Sequence, residues 1–120
     1  MGLDIFFTKK KSNQIGYFRK VNFLVKYFED TCGLDVERQT PLRVYREDIE
    51  GLKDRCEEVL NDHSRAEELL PTVEGFFFGD TDYDEYYFRD VQKVYDYCLH
   101  LLNIFEDLQD DESIWFEIWY

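Results

Sequence analysis

Residues 69–91, LLPTVEGFFFGDTDYDEYYFRDV, lie between two apolar helical patterns, and their reading decides how the chain folds. Pro71 cannot continue the helix that Leu69 and Leu70 close, because it lacks an N–H and pushes the residue before it out of helical geometry. Glu74 to Gly79 is bounded by turn residues and reads as a short strand. Alternation along it sends Phe77 to one face and Phe76 and Phe78 to the other. Apolar side chains on both faces call either for cover on both or for a partner on one, and burial is the expectation. Thr81 or Asp82 then caps the next helix, with Glu85, three residues after Asp82, completing a capping box.

Downstream, Tyr87, Val91, Val94, Tyr95, Cys98, Leu101, Leu102, Phe105 and Leu108 recur at helical spacing and predict the longest helix, the central packing element. The tail SIWFEIWY, Ser113 to Tyr120, is aromatic and β-branched and reads as a final strand. Upstream, Ile49, Leu52, Cys56, Val59 and Leu60 mark a helix over about Arg46–Asp62, and Ser64 to Leu70 adds a turn. Pro41 to Tyr45 is a short strand that begins at a residue able to do without its N–H. Phe18, Val21, Leu24, Val25 and Phe28 predict a first helix over about Gly16–Thr31, closed by Gly33. Leu3 to Thr8 is a buried strand that runs into the polar turn Lys9 to Asn13. Pairing of the first strand with the last gives an α+β fold in a single domain over residues 1–120: three main helices on a small sheet that contains both terminal strands.

The net charge of −13 is unevenly spread: residues 1–40 carry seven Lys/Arg against five Asp/Glu, and residues 41–120 carry seven against 22. Evenly spread, that charge would repel nucleic-acid phosphate and anionic lipid; concentrated in residues 41–120, it makes the molecule polar in charge as well as acidic, and direct nucleic-acid binding and a membrane role stay disfavoured. No apolar run reaches the roughly 18 residues of a membrane span, and residue 6 is Phe where a myristoylation signal wants Ser or Thr. Cys32, Cys56 and Cys98 are odd in number and far apart. They fit reduced, core-filling thiols of a cytoplasmic protein better than a disulfide framework or a zinc site.

Asp80-x-Asp82-x-Asp84 starts like a calcium loop, but Glu85 stands where the loop needs Gly and Val91 where it needs a bidentate Glu, so no metal is expected. Neither GxxxxGK nor GxGxxG is present, and no cofactor is expected. His63 and His100 are isolated, and His100 reads as core-edge packing beside the long helix's buried stripe. No nucleophile–base set assembles around either. On a helix beginning near Gly16, Arg19 and Asn22 share a face at i, i+3 and can grip a carboxylate or phosphate, or pair with the carboxylates of the stretch from Glu74 to Glu85. Glu106, Asp107, Asp110, Asp111 and Glu112 follow one another with no neighbouring cation and can imitate a nucleic-acid backbone, although a solvated helix end is the commoner reading.

Three segments carry a resemblance: Met1-Gly2-Leu3-Asp4-Ile5-Phe6; Gly16-Tyr17-Phe18-Arg19-Lys20-Val21-Asn22; and Leu69 to Gly79 running into Tyr83-Asp84-Glu85-Tyr86-Tyr87. Together they resemble a family of small uncharacterised proteins of bacteriophages, prophages and their bacterial hosts. The resemblance implies a phage or mobile-element setting and brings no established activity. Relatives often carry His where Val25 stands, Ser where Tyr45 stands and a more polar final strand, whereas Arg19, Asn22, Glu74 and Asp84 match.

The expected function is that of a non-enzymatic, acidic accessory protein that binds a host or phage macromolecule, with a protein as the partner and nucleic-acid mimicry as a variant. The alternative is a small-ligand or phosphate-ester site, with or without catalysis, built from Arg19, Asn22, Glu74, Asp84, Tyr86 and Tyr87. Oligomeric state is left open, with the aromatic last strand a candidate edge for pairing with a second copy.

Overall fold

The computed structural model describes residues 2–9, 13–75 and 78–120. Its frame is a four-stranded antiparallel sheet in the order β2-β1-β4-β3, formed by β1 (Asp4–Lys9), β2 (Asn13–Arg19), β3 (Leu42–Val44) and β4 (Ile114–Trp119). The first strand pairs with the last from Asp4↔Trp119 to Lys9↔Ile114, as the apolar character of both segments predicts. β2 pairs on the other side of β1, with a register shift between Phe7 and Thr8. The helices are α1 (Asn22–Cys32), α2 (Arg46–Asn61), the single-turn α3 (Ala66–Leu69), which follows a 3-10 turn at His63–Arg65, and α4 (Glu85–Glu106). The fold is α+β. No described helix is long and apolar enough to cross a membrane.

Strand alternation splits the sheet into two faces. Ile5, Phe7, Ile114, Phe116 and Ile118 are buried on the helix side. Phe7 is central there, with its ring 5.3 Å from Phe116, 5.2 Å from Tyr97 and 6.3 Å from Phe28, and Phe28 lies 4.4 Å from Phe116. Each such ring removed from water contributes roughly 1.5–3 kcal/mol. Behind this layer, Ile49, Leu52, Cys56 and Val59 of α2 and Val91, Val94, Cys98 and Leu101 of α4 are buried as the periodicity predicts. Tyr27 ties α1 to α2 by donating its hydroxyl to the Asp48 carbonyl at 2.6 Å.

The first helix begins later than its apolar spacing suggests. Residues 13–19 form β2, and α1 starts only at Asn22. Phe18 and Val21 fit a helical repeat, but Gly16 does not belong in a helix interior, and here it admits the Tyr97 ring: a β-carbon at residue 16 would collide with the Tyr97 hydroxyl oxygen. Lys20, at φ 58°, breaks the strand while its N–H donates to the Leu3 carbonyl at 2.7 Å. Gly33 closes α1 in the left-handed region, with its N–H on the Phe28 carbonyl, as expected.

Four further expectations change. Glu74, Gly75, Phe78 and Gly79 are irregular backbone, not strand; the readings of Phe76 and Phe77 lie outside the described residues. Asp84, not Thr81 or Asp82, caps α4, its Oδ1 accepting the Tyr87 N–H at 3.1 Å. His100 is exposed rather than packed at the core edge. Lys9, distant in sequence, reaches Glu112 at 3.1 Å, so the acidic run after α4 is partly compensated.

Cys56 and Cys98 are free thiols inside the α2–α4 interface. Burial pushes Cys98 up to about 12 and Cys56 higher still, and burial also raises Tyr27 to about 12. Unfolding frees these groups to ionise from their ordinary values near 9 for the thiols and 10 for the tyrosine. The stability these groups contribute is therefore full below pH 9 and declines as pH rises from 9 toward 12. Urea titrations at stepped alkaline pH should show that decline, and a Cys56→Ala, Cys98→Ala double variant should show a shallower one. The Tyr97 hydroxyl is buried without a hydrogen-bond partner among the described residues, so Tyr97→Phe should be neutral or stabilising by about 1 kcal/mol in the same assay.

Candidate functional site

Asn22 opens α1, while Arg19 ends β2, so the two do not share a helix face. Asn22 is buried and its amide is fully used. Nδ2 donates to the carbonyls of Phe78 at 3.1 Å and Asp80 at 2.9 Å, and Oδ1 accepts the Val73 N–H at 3.2 Å. A single side chain thus supplies the partners that the irregular backbone on both sides of Gly75 cannot find in a helix or strand. Thr72 adds a bond from its hydroxyl to the Thr81 carbonyl at 2.9 Å. The Tyr87 hydroxyl donates to the Leu70 carbonyl at 2.7 Å, and burial raises its pKa well above 10, keeping it a donor. Asn22, Asp84 and Tyr87 are therefore the fastenings of residues 69–91.

Around these fastenings lies a recess of about 280 Å³ lined by Arg19, Lys20, Asn22, Thr72, Asp80, Asp82, Asp84, Tyr86, Tyr87 and Asp90. Five of the six residues singled out from the sequence meet in it. Glu74 does not: it lines a separate hollow with Glu29 and Glu37. Arg19 reaches back over Gly2, where a β-carbon would lie 3.1 Å from its Nη2. Tyr86 is largely exposed, with the Arg89 guanidinium 5.3 Å from its ring centre. Partial burial raises the Asp90 carboxyl's pKa, with Lys93 and Arg89 pulling it back. The recess can hold a polar group, but its four aspartates oppose a phosphate. Among the described residues, no three His, Cys, Asp or Glu side chains converge on a metal position.

A second surface escaped the sequence reading. On the side of the sheet away from the helices, Phe6 and Tyr17 are cross-strand partners with rings 5.3 Å apart, and Trp115 and Trp119 project from β4. Trp119 is 63% exposed and Tyr17 46%. The signal was present in IWFEIW, where Ile, Phe and Ile alternate with Trp, Glu and Trp, but two aromatic faces in one strand do not say which is covered. β4 lies between β1 and β3, but β3 pairs only with residues 114–116, so the last strand is an edge over residues 117–119 alone.

No protein family, curated protein or solved structure matches this chain. The fold and surfaces define it as an α+β protein with a tied polar recess and an open aromatic sheet face.

Asn22→Ala should cost about 3 kcal/mol in urea unfolding, because it strands two carbonyls and an N–H. Asn22→Asp should cost at least as much, since a carboxylate would face those carbonyls. A loss below about 1 kcal/mol for either variant would show that the amide is not the fastening.

Proposed function

We propose that this chain is a non-enzymatic recognition protein that binds a protein partner through the uncovered face of its sheet. The observation that carries the reading is the set Phe6, Tyr17, Trp115 and Trp119 on a face that no described helix covers, with Trp119 63% exposed. Large aromatic side chains held in water forgo burial energy that a partner can recover, and Trp and Tyr dominate the energetics of protein interfaces. The net charge of −13 favours a partner with a basic surface. The resemblance of its motifs to phage and prophage proteins supports a phage or mobile-element setting, with a host or phage macromolecule as the partner.

The phosphate-ester alternative loses ground, because Asp80, Asp82, Asp84 and Asp90 share the recess with Arg19 and Lys20. Nucleic-acid mimicry by the acidic run is weakened where Lys9 neutralises Glu112.

A photoreactive benzoylphenylalanine in place of Trp119 should yield a discrete crosslinked protein in cells, competed away by unlabelled chain. The same group at Leu99, exposed on α4, should not. Trp119→Ala should leave stability within about 0.5 kcal/mol while removing the interaction, as expected of a side chain exposed for binding. Equal or absent crosslinking at the two positions would rule out the sheet face as the docking surface.

A further inference from the structure

The outward row of β4 is Trp115, Glu117 and Trp119. Strand rise places the two Trp backbones about 13 Å apart with Glu117 midway. Each Trp borders its own hollow. One of about 440 Å³ is lined by Thr8, Thr40, Pro41, Trp115 and Glu117, and one of about 210 Å³ by Gly2, Asp4, Trp119 and Tyr120. Trp115 is held in place by its indole N–H on the Ser113 hydroxyl at 2.8 Å. Asp4, the other carboxylate of this face, already accepts the Tyr17 hydroxyl at 2.6 Å. Glu117 is half-buried, and among the described residues its carboxylate has no hydrogen bond or ion pair.

We propose that this row is the track for an extended segment of a partner protein that carries Arg or Lys at its centre and apolar residues or Pro two positions to either side. The inference rests on the reading of the sheet face as a docking surface and adds the chemistry of what docks. In an extended chain, side chains at i−2, i and i+2 point the same way, with the same spacing as Trp115, Glu117 and Trp119. The central cation meets Glu117, and the flanking groups enter the two hollows. β1 flanks β4 along its whole length and β3 flanks residues 114–116, and the three contacts are made by side chains that stand on the face, so the segment lies across the face rather than adding to an edge. It needs no N–H of its own for pairing, and Pro is tolerated.

Charge selects this occupant over the others. The Glu117 carboxylate repels the phosphates of a nucleic-acid strand and the same carboxylate of a second copy, and attracts a cationic side chain. Side-chain pairing at Glu117 sets which basic segment is accepted, since Glu117 borders the hollow walled by Pro41 and Trp115 and precedes the one beside Trp119, whose Asp4 is already engaged by Tyr17, and a cation flanked by apolar groups suits all three.

The test is selection of random linear peptides on the intact immobilised chain, followed by calorimetry with a synthetic peptide of core Leu-Ser-Arg-Ser-Leu and its counterpart with Glu in place of Arg. The selected peptides should share a basic residue flanked by apolar residues or Pro. The Arg peptide should bind and weaken with added salt, and the Glu peptide should not bind. Glu117→Gln and Trp119→Ala should each weaken binding by roughly tenfold or more. Glu117→Arg should turn the preference toward the Glu peptide, with circular dichroism of each variant confirming an unchanged fold. Selection of peptides without a basic residue, indifference to Glu117→Gln, or binding of a single-stranded oligonucleotide in place of peptides would overturn the proposal. So would Trp119-dependent self-association in the ultracentrifuge. Crosslinking to a protein at Trp119 without a basic-peptide preference overturns this inference alone; loss of the crosslink as well overturns the docking surface itself.

Discussion

The antiparallel pairing of β1 with β4 is the constraint on which the rest of the structure depends. It puts the two most apolar strands at the centre of the sheet and leaves β2 and β3 at the edges. Each central strand has one predominantly apolar face, Ile5 and Phe7 on β1 before Lys9 ends it, and Ile114, Phe116 and Ile118 on β4, so both turn that face to the helices. Residues of the opposite parity are thereby turned to the other face: Asp4, Phe6, Trp115, Glu117 and Trp119, with Thr8 buried among them. The core and the exposed aromatic face are two consequences of a single register, since a slip of one residue would exchange them.

The segment between α3 and α4 is held differently. It has little regular secondary structure to satisfy its backbone, and it depends on side chains brought from elsewhere: the Asn22 amide, the Thr72 hydroxyl and the Tyr87 hydroxyl. Asn22 can reach it only because Lys20 breaks β2 and turns the chain into α1 at that point. The polar recess is a by-product of this fastening. Its Asn22, Asp84 and Tyr87 are occupied with the protein's own backbone, which leaves Arg19, Lys20, Tyr86 and the remaining aspartates to face a ligand.

The long helices were legible because their apolar residues repeat over several turns, and no other element satisfies that pattern. The same reasoning misplaced the start of α1: Phe18 and Val21 extend the repeat of Leu24, Val25 and Phe28 backwards by accident, one as an inward strand residue and the other as a turn residue. Gly16 and the polar turn before Gln14 were the contrary signals. The cap of α4 was legible as a type of contact but not as a residue. Thr81, Asp82 and Asp84 all suit the role, and because α4 starts at Glu85 it falls to Asp84. The pairing of Lys9 with Glu112 has no local signature at all, because it exists only across the β1–β4 ladder.

By itself the sequence determined the α+β class, the two long helices, the terminal strands and the uneven acidity, because hydrophobic periodicity and charge are written locally. It also singled out Arg19, Asn22 and Asp84, although in other roles. Only the tertiary structure decided that Asn22 is a fastening, that Glu74 stands apart from the recess and that the row Trp115, Glu117, Trp119 looks outward. These are facts about which segments meet, and chain closure through β1 and β4 sets them where no local preference does.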